Sequence, residues 1–322
     1  MTMVVTEVDR LVPFRVPMRM RFRRTDERSG VLLHGPAGWG EFSPFPEYGP
    51  VYASRWLAAA REAAVDGFPP AVRTQIPVNT TVPAIGAAEA YDLVSASGCT
   101  TAKVKVAESG QTLADDVERV AAVRDALGPD GHIRVDANGA WDVETAVMAI
   151  ARLHRHDLEY VEQPCRTMDE LREIRRRVDV PVAADESIRT ADDPVTAART
   201  GAADVLVLKV QPLGGVRRAL EVAAAAAVPV VVSSALETSV GLAAGLAFAA
   251  ALPELPYACG LGTGTLLGSD VVLDPLVPVG GHITVRRPVP DAALLTQHAP
   301  SPEDAVAWLE RLAAAEAAGG DR

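Results

Sequence analysis

Two rhythms of apolar residues divide the chain. Near the start, Val4 to Phe14 and Val31 to His34 form short apolar runs that predict strands. The turn Gly35-Pro36-Ala37-Gly38-Trp39-Gly40 and the proline-rich stretch Ser43 to Pro50 follow. Val51 to Val65 then has helical periodicity, so strands precede a helix, which is an α+β order. From Ile76 the rhythm becomes a regular alternation. Apolar runs at Val78–Val82, Ala102–Val106, Ile133–Val135, Glu159–Val161, Val182–Ala184, Val205–Leu208, Val228–Val232 and Tyr257–Cys259 read as strands. Between them, amphipathic segments near 86–97, 112–127, 142–154, 168–178, 190–200, 215–227 and 239–251 read as helices, with Asp142 and Thr190 as N-terminal signals.

Eight short strands separated by seven helices predict a closed parallel barrel, a (β/α)7β variant of the TIM barrel in the α/β class. An open doubly wound sheet is the alternative, but no GxGxxG follows an early strand. Residues from 270 onward, including His282 to Val285 and a helix over Pro302 to Ala318, are expected to return to the N-terminal unit. The expected division is therefore a capping domain of 1–75 plus about 270–322, and a barrel domain of 76–269.

The barrel's strand ends are where chemistry collects, and here they carry charge. The second strand reads Ala102-Lys103-Val104-Lys105-Val106, and the third runs into Val135-Asp136-Ala137-Asn138. The fourth ends Val161-Glu162-Gln163-Pro164, the fifth Ala184-Asp185-Glu186-Ser187, and the sixth Leu208-Lys209. Lys103 and Lys105 are two apart, so they share a face. Two ammonium groups facing one interior are costly unless anions sit nearby, and Asp136, Glu162 and Asp185 supply them. Three converging carboxylates in turn call for a cation, and a hard oxygen set with room for water and substrate suits magnesium. Zinc fits poorly, because the one HxH among the six histidines, His154-Arg155-His156, lies before the fourth strand and not at its end, and no HExxH occurs. Taken singly, each residue has an ordinary reading: a strand-end lysine as a surface snorkeller, Asp136 and Asp185 as helix caps. Glu186 should point away from Asp185 and is read as structural.

Such a site suits removal of a proton beside a carboxylate. A cation on the carboxylate oxygens stabilises the enediolate, and a lysine whose pKa is lowered by neighbouring positive charge serves as base. Lys105 takes the proton, with Lys103 beside it. Lys209, across the barrel, is a second acid/base or a cation for the enediolate.

The remaining composition narrows the partners. Of 322 residues 48% are hydrophobic, and the formal net charge of −11 gives no general attraction for nucleic acid. Arg172, Arg175, Arg176 and Arg177 have helical spacing and read as a solvated helix face. Cys99, Cys165 and Cys259 form no CxxC, which excludes a disulfide framework or zinc ribbon and points to a reducing cytoplasm. The most apolar segment, Val222 to Val232, is too short to span a bilayer and contains Pro229. The expected partner is a small carboxylate substrate, with no nucleic acid and no membrane; a monomer is compatible with the sequence.

The set K-x-K, D-A-N, E-Q-P, D-E-S and a later lysine resembles the muconate-lactonising branch of the enolase superfamily, whose use of a Lys or His base with magnesium is a general pattern. The resemblance covers nearly the whole chain. It implies Lys105 and Lys209 as the acid/base pair, Asp136, Glu162 and Asp185 as ligands of Mg2+ (with Mn2+ as a substitute), and Lys103 and Asn138 in support. Within the branch, Val232-Ser233-Ser234-Ala235-Leu236-Glu237-Thr238-Ser239-Val240-Gly241-Leu242, Gly260-Leu261-Gly262-Thr263 and Gly38-Trp39-Gly40-Glu41 with Ser43-Pro44-Phe45 resemble segments of the o-succinylbenzoate synthase family. That resemblance implies a dehydration in menaquinone biosynthesis; racemisation of N-succinylamino acids or epimerisation of dipeptides by the same five residues is the alternative. Ser233, Ser234 and Gly262 are the expected substrate contacts, though the two serines equally suit the start of the next helix. An arginine-rich cap loop, Arg19 to Arg28, is expected over the substrate or in solvent. Readings from other classes are an aldolase using Lys209 or Lys105 as a Schiff base, and a non-catalytic barrel scaffold.

Overall fold

The computed structural model describes residues 7–22 and 25–319. The chain begins with a three-stranded antiparallel sheet, β1 (Arg10–Phe22), β2 (Thr25–Gly35) and β3 (Gly38–Phe42). The first strand therefore starts later and runs further than the apolar run Val4–Phe14 predicts, and residues 1–6 lie outside the described part. Positions 19–22 and 25–28, expected as a loop, belong to strands β1 and β2 instead, which pair through Val16↔Arg28 and Pro17↔Glu27 and, past an irregularity, at Phe22↔Thr25. Arg23 and Arg24 lie outside the described residues. Helix α1 (Pro50–Arg61) follows, with proline in its first turn, and ends in a wide turn over Glu62–Asp66. It buries Ala53, Trp56, Leu57 and Ala60 against Phe42 and Phe45.

The barrel comes next. After β4 (Gln75–Pro77) come β5 (Thr80–Val82), β6 (Thr101–Lys105), β7 (His132–Asp136), β8 (Leu158–Glu162), β9 (Val182–Ala184), β10 (Val205–Leu208) and β11 (Val230–Val232). Strands β5 to β11 form one parallel sheet in sequence order. The eighth run, Tyr257–Cys259, is reduced to two parallel bridges, Val78↔Cys259 and Ser233↔Gly260, and these close the sheet on itself. The curled parallel sheet under an N-terminal cap is the (β/α)7β architecture expected.

The intervening helices are α2 (Ala87–Ser97), α3 (Leu113–Leu127), α4 (Val143–Leu153), α5 (Met168–Arg175), α6 (Glu186–Arg189), α7 (Pro194–Ala198), α8 (Val210–Leu213), α9 (Val216–Ala225) and α10 (Ser239–Ala251). Their starts follow capping chemistry. Thr112 and Asp115 cap α3 reciprocally, Asp142 accepts from Thr145 N at 2.8 Å, and Thr167 pairs with Glu170; each such cap stabilises by about 1 kcal/mol. The segment 190–200 is a correction: Thr190 ends α6, and Asp193 starts α7 by accepting from Val195 N. Helix α10 is apolar all round and buried from Ser239 to Ala250, as a helix wedged between two packed units must be.

Alternating strand residues define two cores. Outward-facing Val104, Val135, Val161 and Val232 pack against the helices. Inward-facing Tyr160, Ala183, Val205, Val207 and Val231 fill the barrel, with Tyr257 packed against them. Arg134, also inward, lies with its guanidinium 4.9 Å from the Tyr160 ring centroid and 5.7 Å from that of Tyr257. It is fully buried; its Nε and Nη1 donate to Glu159, Asn79 Oδ1 and Ala258 O, while its Nη2 has no hydrogen-bond partner among the described residues.

The last residues divide their contacts. Strand β12 (His282–Thr284) pairs with β4, under the barrel. Helix α11 (Ala292–Gln297) packs Leu295 against Phe14 and Val16 of β1. Helix α12 (Pro302–Gly319) lays Leu312 and Ala315 in the cap core, and Arg311 donates to the carbonyls of Pro44, Phe45 and Tyr48. On α5, Arg175 pairs with Asp204, and Arg177 just beyond its end with Glu144, as expected of a solvated basic face. All three cysteines are buried and free. Among the described residues no helix is long and apolar enough to cross a membrane.

Candidate active site

Strand pairing assembles the charged residues one by one. Lys105 is paired with Asp136 in register, and Asp136 with Glu162. Asp185 and Lys209 stand one residue past β9 and β10. The five charged residues and Lys103 thus occupy the same end of five adjacent strands, all of them buried. Lys103 Nζ lies 2.9 Å from Asp136 Oδ2 and also pairs with Glu162 Oε1. Lys105 Nζ lies 2.5 Å from the same Asp136 Oδ2 and 2.6 Å from Asn138 Oδ1. Lys209 Nζ pairs with Asp185 Oδ2, whose other oxygen accepts from Arg189 Nε at 3.1 Å.

Burial and these pairings act against each other. Burial alone would raise the Asp136 carboxyl, but Lys103 and Lys105 outweigh it and hold it well below the usual carboxylate range. Burial likewise works against ionised Asp185, and Lys209, Arg189 and Lys103 bring it down. Glu162 goes the other way, pushed up to about 7 by burial and by the charges of Asp136 and Asp185, with Lys103 opposing. Burial pulls Lys103 down, yet the three carboxylates together hold it well above the ordinary lysine value. Lys209 is lowered, chiefly by burial, with Asp185 opposing.

A metal fits this donor set, although the carboxylates are held by ammonium groups here. Among the described residues no three Asp, Glu, His or Cys side chains are arranged to hold an ion directly. The three carboxylates are nevertheless buried at one end of the barrel, Glu162 Oε2 has no hydrogen-bond partner among the described residues, and burial, with the charges of Asp136 and Asp185 adding to it, lifts the Glu162 pKa. A hard divalent cation relieves all three conditions.

The ordinary capping readings do not describe these aspartates. Asp136 Oδ1 accepts from Asn138 N at 3.0 Å, within its own loop, and Asp185 makes no cap hydrogen bond with α6. Both turns after the acids are left-handed, Asn138 at φ 46° and Gln163 at φ 40°, a conformation held only where surrounding bonds fix it. Gln163 supplies such bonds: its Oε1 accepts from Asp185 N at 2.9 Å and Ser187 N at 3.3 Å, and its Nε2 donates to Cys165 O. Glu186 accepts from Asn138 Nδ2 and Arg189 Nη2, so it braces the residues around the acids. Arg189 in turn donates to Tyr48 of the cap. Sequence reasoning passes over Gln163, Arg189 and Tyr48; Arg189 alone left a signal, four residues after Asp185.

Lys103, Lys105, Asp136, Asn138, Asp185 and Lys209 line one pocket with Thr81, Ser233, Ser234, Ala235, Leu236, Gly260 and Thr263. Glu162 lies behind Lys103. Ser233 and Ser234 are thus in the pocket, and the start of α10 belongs to Thr238, which accepts from Val240 N. Ser234 Oγ is 2.5 Å from Thr263 Oγ1. Gly262 lies between Gly260 and Thr263, which line the pocket; a side chain at 262 would meet Asn79 O at 2.7 Å and Pro278.

Comparison with known proteins gives the same outline. Residues 86–292 match the family described as enolase C-terminal domain-like, and residues 13–64 the one described as enolase N-terminal domain-like. An o-succinylbenzoate synthase from Thermobifida fusca (strain YX) is 62% identical over 305 residues, 95% of both chains. One from Mycobacterium tuberculosis (strain ATCC 25618 / H37Rv) is 53% identical over 309 residues, 95% of this chain and 94% of that one. In structure, muconate cycloisomerase from Pseudomonas fluorescens superposes with a TM-score of 0.76 at 21% identity, covering 91% of this chain and 98% of that one. At that identity the likeness speaks to the fold.

Proposed function

The chain belongs to the enolase superfamily, and from that premise we propose that it catalyses the o-succinylbenzoate synthase reaction. It is an enzyme of the lyase class. The substrate is 2-succinyl-6-hydroxy-2,4-cyclohexadiene-1-carboxylate, which loses its α-proton and its hydroxyl to become 2-succinylbenzoate, a step of menaquinone biosynthesis. The observation that carries this reading is the identity of well over half the residues with an o-succinylbenzoate synthase across 95% of both chains.

The chain's own residues have distinct tasks in this reading. Lys105, steadied by Asn138 and Asp136, removes the α-proton. Lys209, approaching from four strands away, offsets the charge of the enediolate and stands ready to protonate the departing hydroxyl. Asp136, Glu162 and Asp185 would hold a divalent ion, as superfamily members generally use; we assign Mg2+, which supplies Lewis-acid stabilisation of the substrate carboxylate. Lys103 favours the ionised forms of Asp136 and Asp185 and opposes the rise of Glu162, and Ser233, Ser234 and Thr263 offer hydroxyls to the succinyl end. Aromatisation makes the step strongly downhill, so the site must chiefly lower the barrier to carbon deprotonation. A cytoplasmic location goes with such a small-molecule biosynthetic step.

The test is direct. Purified protein is incubated with the cyclohexadiene substrate with and without Mg2+, following the loss of diene absorbance. Metal-dependent conversion to 2-succinylbenzoate is expected. No conversion with Mg2+ or Mn2+ present contradicts the reading, and trapping of Lys105 or Lys209 by borohydride with a carbonyl substrate would favour the Schiff-base alternative.

A further inference from the structure

One wall of the pocket is built from backbone that the barrel alone does not hold. Ala235 and Leu236 line the pocket and at the same time sit in the apolar core of the cap, with Phe42, Phe45 and Trp56. Leu236 is left-handed, at φ 63°, which a branched residue adopts only when its surroundings impose it. Those surroundings come largely from the cap. Arg28 of β2 is buried; its Nε donates to Leu236 O at 3.0 Å and its Nη2 to Ser43 O at 2.6 Å and Ser43 Oγ at 3.2 Å. The guanidinium lies 4.3 Å from the Phe45 ring centroid. Ser43 Oγ passes the chain of bonds to Glu41, whose carboxylate accepts from Thr238 N and Gly241 N at 3.1 Å each, at the start of α10.

We propose that Arg28 is a positioning residue for substrate binding: by holding the Leu236 carbonyl from the cap, it fixes where residues 234–236 face the substrate. Arg28 lies outside the pocket lining, so it acts through the loop and not by touching substrate. A planar, permanently charged fork suits two backbone carbonyls at once, which a lysine cannot match. The consequence is that cap and barrel jointly define the pocket, and loosening the clamp changes binding before it changes proton transfer.

The proposal rests on the dehydratase reading, and its test separates the two. Wild type, Arg28→Met, Arg28→Lys and Ser43→Ala are compared for KM, kcat, Mg2+ affinity by calorimetry, and hydrogen exchange of the peptide spanning 234–241. For Arg28→Met we expect KM to rise about tenfold with kcat held within about threefold, as for loss of an interaction made equally in ground and transition states. Mg2+ affinity should be unchanged, and exchange should rise at 234–241 but not at 205–209. Arg28→Lys should recover part of the KM, and Ser43→Ala should show a smaller rise. If Arg28→Met does not fold, the Ser43→Ala and Arg28→Lys data carry the decision. Folded variants with wild-type KM and wild-type exchange at 234–241 overturn the proposal, as does a fall in kcat that tracks weakened Mg2+ binding. A wild-type protein without dehydratase turnover, but with the exchange change intact, overturns the functional reading and leaves the clamp standing.

Discussion

Removing the Glu62 carboxylate should loosen the cap from the barrel by a measurable amount. Glu62 closes the turn after α1 and reaches the first turn of a barrel helix, α9. Its oxygens accept from Val216 N, from Arg217 N at 3.0 Å and from Arg217 Nη1 at 2.8 Å. The residue before that helix is Gly215, at φ 130°, and it offers no capping side chain; a Cβ there would collide with Glu62 Oε2. Glu62 therefore serves as the helix cap from another part of the chain. Losing a cap costs about 1 kcal/mol, and losing a negative charge at a helix N-terminus about 0.3–1 kcal/mol. Stranding the buried Val216 N–H costs about 1–3 kcal/mol. These overlap, so Glu62→Ala should destabilise by about 2–3 kcal/mol in all, and Glu62→Gln, which keeps one acceptor, by about 1 kcal/mol. With about 2.1 cal/mol/K per residue over 322 residues, 1 kcal/mol moves Tm by about 1.5 °C, so Glu62→Ala should lose about 3–4 °C. Thermal unfolding by circular dichroism on metal-free protein reads this. A Tm unchanged in Glu62→Ala, or equal losses for Ala and Gln, would refute the capping argument.

Further expectations concern the other buried carboxylates. Burial pushes Glu41 up to about 7 from its ordinary 4.5, with the neighbouring charge of Glu237 adding and Ser43, Thr238 and Arg28 opposing. A carboxyl raised in the folded state binds its proton more tightly there than in the unfolded chain. Its contribution to stability is therefore present at low pH and lost as pH rises from about 4.5 to 7. Urea midpoints across that window should fall less steeply in Glu41→Gln than in wild type; parallel slopes would count against it. If Asp136 serves as the proposed ligand, Asp136→Asn should weaken Mg2+ binding by about tenfold or more in calorimetry, and an unchanged affinity would remove Asp136 from the proposed metal site. Solvent deuterium should enter recovered substrate only through the face that Lys105 serves. Exchange from both faces would favour a racemase.

How much of this was legible in the sequence depends on the range of the interactions. Strand periodicity placed Lys103 and Lys105 on one face, and the pocket holds both. Position at the strand ends brought in Asp136, Glu162, Asp185 and Lys209, because a parallel barrel puts all its strand ends on one rim. The eighth strand was harder to read. Its apolar run is present, but only two bridges form there, since closure is made by single backbone pairs that hydropathy does not encode. Positions 19–22 and 25–28 read as a loop because the arginines there look solvated. Arg28 is buried among groups its own sequence neighbours do not announce: the carbonyl of residue 236, far along the chain, that of Ser43, and the Phe45 ring. Gln163 escaped for a similar reason: its role is hydrogen bonds to backbone and neighbours across strands, and no spacing announces it. Glu41 and Glu62 are ordinary strand and helix residues in sequence, and become helix caps only once the cap is docked.

The most direct measurement is single-turnover dehydration by Lys105→Ala and Lys209→Ala, each checked for native circular dichroism and Mg2+ affinity. Loss of a positioned base or acid should slow turnover by about 10²–10⁴-fold or more in each, with the fold kept. A folded, metal-competent Lys105→Ala that dehydrates the cyclohexadiene at the wild-type rate would mean that proton removal does not occur between these two lysines.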